Sequence, residues 1–115
     1  MKFFVREDLY VAGRDDDGQE YTASQYYVVA EDDQGRRWAH RDVYAGCRVL
    51  VDEEGDKHFE DVRAEALAGA RKRLNSFRRH GTTLDTRAWD SIPAAYGSDA
   101  HSDAEMVAWE QGAGA

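Results

Sequence analysis

The side chains best suited to chemistry in this chain are carboxylates, and they are gathered in three short segments. The segments are residues 14–18, 31–35 and 52–56, and each contains a glycine. Hard oxygen ligands of this kind could bind a divalent cation. The spacing does not match a twelve-residue calcium loop, however, and no downstream bidentate Glu completes one. Because Asp and Gly are also what hairpin turns require, we interpret the three segments as turns.

The histidines and the single cysteine are the remaining candidates for metal binding or nucleophilic catalysis. They are His40, His58, His80, His101 and Cys47. No two of them stand at the close spacing of a zinc site, and phosphate-loop, dinucleotide-binding and nucleophile-elbow patterns are not found. Cys47 opens an apolar strand without an activating neighbour, so we interpret it as a buried structural thiol. The sequence therefore predicts a protein that is not an enzyme and needs no metal or cofactor.

Composition indicates one soluble domain spanning residues 1–115. The chain has 42% hydrophobic and 33% charged residues, which is typical of a folded protein. One cysteine cannot form an internal disulfide, so a reducing cytoplasm is the expected setting. Charge appears too early for a signal peptide, and no apolar run approaches the ~20 residues of a membrane span.

Charge is distributed unevenly along the chain. The net charge of −8 divides into −7 for residues 1–60, +4 for residues 61–81 and −5 for residues 82–115. A pI of about 4.9 argues against free nucleic acid as the main ligand, because phosphate is repelled by the overall field. This acidic charge favours a basic protein as partner. The alternative is that it only keeps the protein soluble.

The elements that position these residues are a sheet and a helix. Alternating or β-branched runs predict strands at residues 3–12, 21–30, 36–40 and 47–51. Short links between consecutive strands favour an antiparallel meander of three to four strands. Apolar residues spaced three or four apart predict an amphipathic helix over residues 61–80 that covers the sheet. They are Val62, Ala66, Ala70, Leu74 and Phe77.

The predicted fold is α+β, with residues 1–59 rich in strands and residues 60–81 carrying the helix. Gly69 lies among small residues in that helix, which indicates a close approach to the sheet, and Gly81 fits the position that ends it. Beyond them, residues 84–92 are predicted as a short helix ended by Pro93. Residues 102–110 are predicted as a second helix that begins with a capping box.

One consequence of a four-stranded meander is an acidic surface. Its second and fourth links leave the same end of the sheet, so the second and third acidic turns should lie side by side. The residues expected to contact a partner there are Glu31, Asp32, Asp33, Asp52, Glu53, Glu54 and Asp56, with Tyr26 and Trp38 as aromatic anchors. The alternative is a solvated sheet end with no partner.

The one basic cluster is Arg71, Lys72, Arg73, Arg78 and Arg79 on the predicted helix. It could contact nucleic-acid phosphate or an acidic partner, including a second copy of the chain. The alternative is the solvated face of an amphipathic helix, with cations at the negative end of the helix dipole.

Parts of the second half resemble small uncharacterised proteins of phages and prophages. The resemblance covers roughly residues 37–110 and lies in Gly46-Cys47-Arg48-Val49, in residues 59–66, in Trp89, in residues 92–98, in Glu105 and in Trp109-Glu110. It implies a phage-encoded accessory protein and carries over no binding or catalytic residue. Small acidic phage proteins of this kind often bind host machinery, and anti-CRISPR proteins that block a nuclease complex are among them.

The expected function is therefore a non-enzymatic phage protein, in the cytoplasm of the bacterial host, that binds and inhibits a basic protein or nucleic-acid-handling complex. Two alternatives stay open. One is a homodimeric structural or assembly protein joined through its helix or C-terminal segment. The other is a small nucleic-acid binder that uses the arginine-rich helix at residues 71–79.

Overall fold

A computed structural model describes residues 1–93 and 98–101 and confirms the α+β class. The elements in chain order are β1 Lys2–Arg14, β2 Glu20–Glu31, β3 Arg37–His40, β4 Tyr44–Ala45, β5 Cys47–Val51, β6 Lys57–Asp61, α1 Arg63–His80, β7 Trp89–Ile92 and β8 Ser98–His101. No helix in this part of the chain combines the length and apolar character that crossing a membrane requires.

The main sheet is larger than predicted and is arranged differently. Its strand order is β7-β3-β2-β1-β8, with β4 also paired to β2, so β1, β2 and β3 are consecutive antiparallel neighbours. The prediction that residues 47–51 extend this meander is wrong, because β5 pairs with β6 in a separate two-stranded sheet. The segment after the third acidic turn is itself a strand, and it offers β5 the closest partner along the chain.

The helix predicted for residues 84–92 is also wrong. The side chain of Asp85 accepts the backbone N–H of Arg87, and the backbone N–H of Trp89 donates to Asp85 O, which closes a turn. The next residues form β7 on the free edge of β3. Backbone pairing with β3 and burial of Trp89 outweigh the local helical tendency. The helix predicted for residues 102–110 lies outside the described residues.

The core lies between α1 and the main sheet. Val5 and Val28 of the sheet pack with Leu67, Leu74 and Phe77 of the helix, and all of them are buried. The predicted apolar face is confirmed, since each of its members is buried. Full burial of one such side chain stabilises the fold by roughly 1.5–3 kcal/mol, so this interface accounts for the docking of the helix.

The ends and the middle of α1 are set by local contacts. Asp61 Oδ1 accepts the backbone N–H of Arg63 at 3.0 Å where the helix begins. Gly81 ends it with a φ of 73°, and its N–H donates to Phe77 O. A Cβ at Gly69 would lie 2.8 Å from Tyr44 Cδ1, so glycine is required there because β4 approaches the helix closely.

Candidate functional site

The three acidic turns share one construction, which confirms their interpretation as turns. In each, an aspartate Oδ1 accepts the backbone N–H groups of the residues two and four positions later, at 2.8–3.0 Å. These aspartates are Asp15, Asp32 and Asp52. A glycine three positions after each has a φ between 79° and 88° and donates to the aspartate's carbonyl oxygen. The leading carboxylate of each turn is therefore held inside the turn by the chain's own backbone.

The first two turns lie at opposite ends of β2. Residues 15–19 join β1 to β2, and residues 32–36 join β2 to β3. Between them β2 runs for 12 residues, which corresponds to roughly 40 Å in an extended strand.

The third turn, residues 52–56, lies toward the first turn and not toward the second. The hairpin of β5 and β6 starts beside the middle of β2, where the N–H of Gly46 donates to Ser24 O at 2.7 Å. Further along the hairpin, Phe59 stacks on Tyr21 with ring centroids 4.3 Å apart and planes 10° apart. The hairpin therefore advances toward the start of β2, and its turn projects past Phe59 in the same direction.

The predicted acidic surface is wrong in its pairing. Residues 31–33 and 52–56 do not lie side by side, because β5 is not a strand of the main sheet. The contacts instead bring residues 15–17 and 52–56 to one end of the molecule. This arrangement depends on the pairing of β5 with β6, a strand that the sequence analysis did not predict.

Cations compensate most of the charge at the other end. Arg36 Nε lies 2.6 Å from Asp32 Oδ2, and Arg37 Nε lies 3.7 Å from Glu31 Oε1. Partial desolvation acts to raise the pKa of Asp32. The hydrogen bonds that Asp32 accepts from the backbone and guanidinium of Arg36, and from the backbone of Gln34, outweigh this effect and hold the pKa below its usual value. Asp33 is the one carboxylate of this turn that has no ion pair among the described residues, so the turn offers little uncompensated negative charge.

At the end that carries the first and third turns, several exposed carboxylates have no cation beside them in the described part of the chain. Within the described residues, no cation lies within ion-pair distance of Asp16, Asp17, Glu53 or Glu54. We call these four residues the acidic end. All four are exposed, and at physiological ionic strength their field reaches about 8 Å into solvent.

One ion pair lies at the base of the third turn, next to Glu53 and Glu54 of the acidic end. His58 Nε2 lies 2.8 Å from Asp52 Oδ2. The hydrogen bond to Asp52 raises the pKa of the His58 ring, and the same bond, aided by backbone donors, lowers the pKa of Asp52. The pair steadies the hairpin end without neutralising Glu53 and Glu54.

The two aromatic anchors predicted for partner contact lie elsewhere. Tyr26 has 0% exposure and belongs to the core, so its assignment as a contact residue is wrong. Burial, followed by a hydrogen bond with Glu7, raises the pKa of its hydroxyl. Trp38 is half-buried on β3, with the Arg36 guanidinium carbon 5.9 Å from its ring, far from the acidic end.

Tyr21 and Phe59 are the aromatic residues that join the two turns, and sequence reasoning missed them. A Cβ on Gly13 of β1 would lie 3.1 Å from Phe59 Cε1, so the ring packs across both strands of the first hairpin. Only the register of two hairpins reveals this contact. The one signal in the sequence is that each ring lies close to an acidic turn.

The basic cluster divides into engaged and solvent-facing residues. Arg73 Nη2 lies 2.7 Å from Asp42 Oδ2, and Arg78 Nη2 donates to Phe3 O at 2.8 Å. Lys72 and Arg79 have no carboxylate partner within the part of the chain that is described. They line a groove of about 590 Å³ on the outer side of α1, together with Ala68, Arg71, Asn75, Ser76 and His80.

The histidine and thiol nearest the core have packing roles. Burial raises the pKa of the Cys47 thiol, and the charge of Asp61 adds to the effect, so the thiol stays protonated near neutral pH. Burial lowers the pKa of His40, whose ring packs edge-on against Trp89 at 4.8 Å. The described residues contain no group of three or more side chains placed to hold a metal ion.

Comparison with known proteins adds no family to these observations, since no family model, no curated protein and no solved structure matches the chain. The resemblance to phage accessory proteins therefore stays a prediction.

Proposed function

We propose that the protein is a non-enzymatic binding protein that docks a basic protein partner through its acidic end. The observation that carries the proposal is the stack of Tyr21 on Phe59, which holds two separate turns in one region. The bond from Gly46 N–H to Ser24 O fixes the start of the β5–β6 hairpin, and the ring stack fixes its direction, so the carboxylates at residues 16–17 and 53–54 belong to one surface.

The electrostatics of the acidic end suit recognition of a basic surface. Its carboxylates are exposed and have no ion pair with any described residue, while the leading aspartates of both turns already accept backbone hydrogen bonds. Complementary charge mainly raises the association rate and fixes orientation, and its effect falls as salt increases. The partner is thus a protein with a lysine- or arginine-lined surface, such as the nucleic-acid-binding face of a host complex.

Occupation of such a face would inhibit the host complex by competing with nucleic acid. This mode of action is the one expected of a phage accessory protein in the bacterial cytoplasm. The geometry favours the first and third turns for that contact, in place of the second and third. Glu31 and Asp32 are left out because arginines of the same chain already neutralise them.

Affinity capture from a bacterial lysate tests this proposal with three baits. They are the native chain, the double variant Glu53→Gln/Glu54→Gln, and a control, Glu31→Gln/Asp33→Asn, that removes the same charge at the opposite end. Captured proteins are identified and quantified by mass spectrometry at low and at high salt.

We expect basic proteins that are retained by the native chain and the control but reduced severalfold with Glu53→Gln/Glu54→Gln. Retention should also fall for all baits at high salt. Equal capture by all three baits, or capture insensitive to salt, would remove the acidic end from the account.

A second candidate function is nucleic-acid binding by the groove on α1. The observation in its favour is that Lys72 and Arg79 face solvent without a carboxylate partner in the described structure. A gel-shift titration with single-stranded DNA at low salt tests it, with Lys72→Gln/Arg79→Gln as the variant and Arg14→Gln/Arg36→Gln as the charge-matched control. Absence of any shift with the native chain disposes of this candidate.

A further inference from the structure

Strand β5 exposes three consecutive apolar residues. Val49 is 39% exposed, Leu50 is 46% exposed and Val51 is 64% exposed. Val49 and Val51 lie on the face of the hairpin that carries their partners Phe59 and Lys57, and Leu50 lies on the other face. A strand with one buried face would hide alternate residues, yet here apolar side chains are open on both faces. Such a run on the surface of an acidic protein is typical of an interaction site.

The same strand has an open hydrogen-bonding edge. Within the described residues, its sheet contains only β5 and β6, so one edge of β5 has no partner strand. Asp52 N–H donates to Asp56 O at 3.0 Å, and Gly46 O accepts Val62 N–H at 2.9 Å, which places both residues in hydrogen-bonded pairs of the hairpin. Because such pairs alternate, the backbone groups of Val49 and Val51 point away from β6, toward the open edge.

A contact at the start of β5 independently shows which backbone groups point to the open edge. The Tyr10 hydroxyl donates to Cys47 O at 3.5 Å, so the Cys47 carbonyl also points away from β6. Among the described residues, Tyr10 contacts this edge at Cys47 and no strand pairs with it from Val49 to Val51. This part of the edge can therefore accept an added strand.

We propose that β5 pairs in antiparallel fashion with β5 of a second copy of this chain, about a two-fold axis at Leu50. In this register the backbone groups of Val49 exchange hydrogen bonds with those of Val51 in the other copy, and the reverse pair forms by symmetry. The two Leu50 side chains then face each other. The result is a continuous four-stranded sheet in which each β5 covers the open edge of the other.

The apolar pattern selects this register and this occupant. With the axis at Leu50, Val49, Leu50 and Val51 of each copy all lie opposite apolar residues of the other copy. Arg48 keeps its ion pairs with Glu60 and Glu65 of its own chain. An axis at Val49 would instead place Arg48 opposite an apolar Leu50. Strand β5 contains no Pro or Lys that would block an added strand. A strand whose apolar pattern is complementary to itself is best satisfied by a second copy.

The dimer contact is distinguishable from partner docking at the acidic end by its response to salt. Each copy carries a net charge of −8, so the two copies repel each other and screening should strengthen their association. Docking of a basic partner should weaken under the same conditions. Failure of one proposal therefore leaves the other standing.

Sedimentation equilibrium over a concentration series tests the proposal with the full chain and three variants. Leu50→Lys sets two like charges face to face at the axis. Val51→Pro removes an N–H that points to the open edge and leaves the bonds to β6 in place. Val43→Lys is the control, because Val43 is similarly exposed at 47% but lies outside β5. Circular dichroism verifies that each variant is folded.

We expect the native chain and Val43→Lys to pass from monomer to dimer as concentration rises, with stronger association at high salt. Leu50→Lys and Val51→Pro should raise the dissociation constant about tenfold or more. A native chain that stays monomeric throughout would overturn the proposal. So would a dimer that folded Leu50→Lys and Val51→Pro leave unchanged, or growth beyond the dimer.

Discussion

Removal of the stack between Tyr21 and Phe59 should weaken the contact between the two hairpins that form the acidic end. The rings lie 4.3 Å apart and nearly parallel, and Phe59 also covers Gly13. Truncation of either residue to alanine loses the ring contact and some buried area. Since Tyr21 is on the surface, the area lost is smaller than for a core aromatic residue.

The pair itself should contribute about 0.5–1.5 kcal/mol beyond area burial, which is the range found for aromatic pairs in double-mutant cycles. The free energy of unfolding falls by about 1–3 kcal/mol per molar urea in small proteins. A coupling energy of about 1 kcal/mol therefore corresponds to a shift of the urea midpoint by roughly 0.3–1 M. This shift is large enough to resolve by equilibrium unfolding.

The assay is a double-mutant cycle with Tyr21→Ala, Phe59→Ala and the double variant, each unfolded in urea and followed by tryptophan fluorescence. Tyr10→Phe is a comparison variant, because it removes a different bond between the same two hairpins, from the Tyr10 hydroxyl to Cys47 O, and leaves the ring stack intact. We expect the double variant to be more stable than the sum of the single losses predicts, by the coupling energy. A coupling energy of zero would show that the rings do not join the hairpins.

Three further predictions concern the ion pair behind the acidic end and the packing of α1. Because their hydrogen bond raises the pKa of His58 and lowers that of Asp52, the pair should stabilise the fold fully between about pH 3.8 and 6.5, and this stabilisation should be lost beyond each folded-state pKa. Nuclear magnetic resonance should show the pKa of His58 above 6.5 in the native chain and lower in Asp52→Asn than in the native chain. Leu74→Ala should lower the free energy of unfolding by about 2–5 kcal/mol in urea melts, since Leu74 is buried between helix and sheet. Gly69→Ala should destabilise the protein in the same measurement despite a gain of about 1 kcal/mol in helix propensity, because the new Cβ would meet Tyr44; an increase in stability would contradict the close packing.

The elements with a strong local period could be predicted from the sequence. Helix α1 begins two residues later than predicted and ends as predicted, and its apolar face is buried as the spacing required. Strands β1, β2 and β3 and the three turns were likewise marked by alternation and by Asp and Gly. These features depend on contacts between residues close in the chain.

The errors in the fold concern pairing between distant segments. Strand β6 was missed because residues 57–61 are almost entirely polar and show no alternation of apolar residues. That one omission placed β5 in the wrong sheet and moved the third turn to the wrong end. Trp89 was assigned to a helix because nothing near it in the chain signals that β3 has an edge to fill.

The candidate site was predicted in its residue types and missed in its geometry. Glu53 and Glu54 were named and lie at the acidic end, whereas Asp32 was named and is paired with Arg36. Whether a carboxylate is free depends on which cation the fold places beside it. Charge counts along a segment carry no such information.

A distance measurement between spin labels tests most directly whether the first and third turns form one acidic end. Labels on Asp17→Cys and Glu54→Cys, in a Cys47→Ser background, are compared with labels on Asp33→Cys and Glu54→Cys by pulsed electron resonance. We predict a clearly shorter distance for the pair at residues 17 and 54, and a separation of roughly 40 Å, about the length of β2, for the pair at 33 and 54. A distance between residues 33 and 54 that is shorter than the distance between residues 17 and 54 would contradict the placement of the first and third turns at one end.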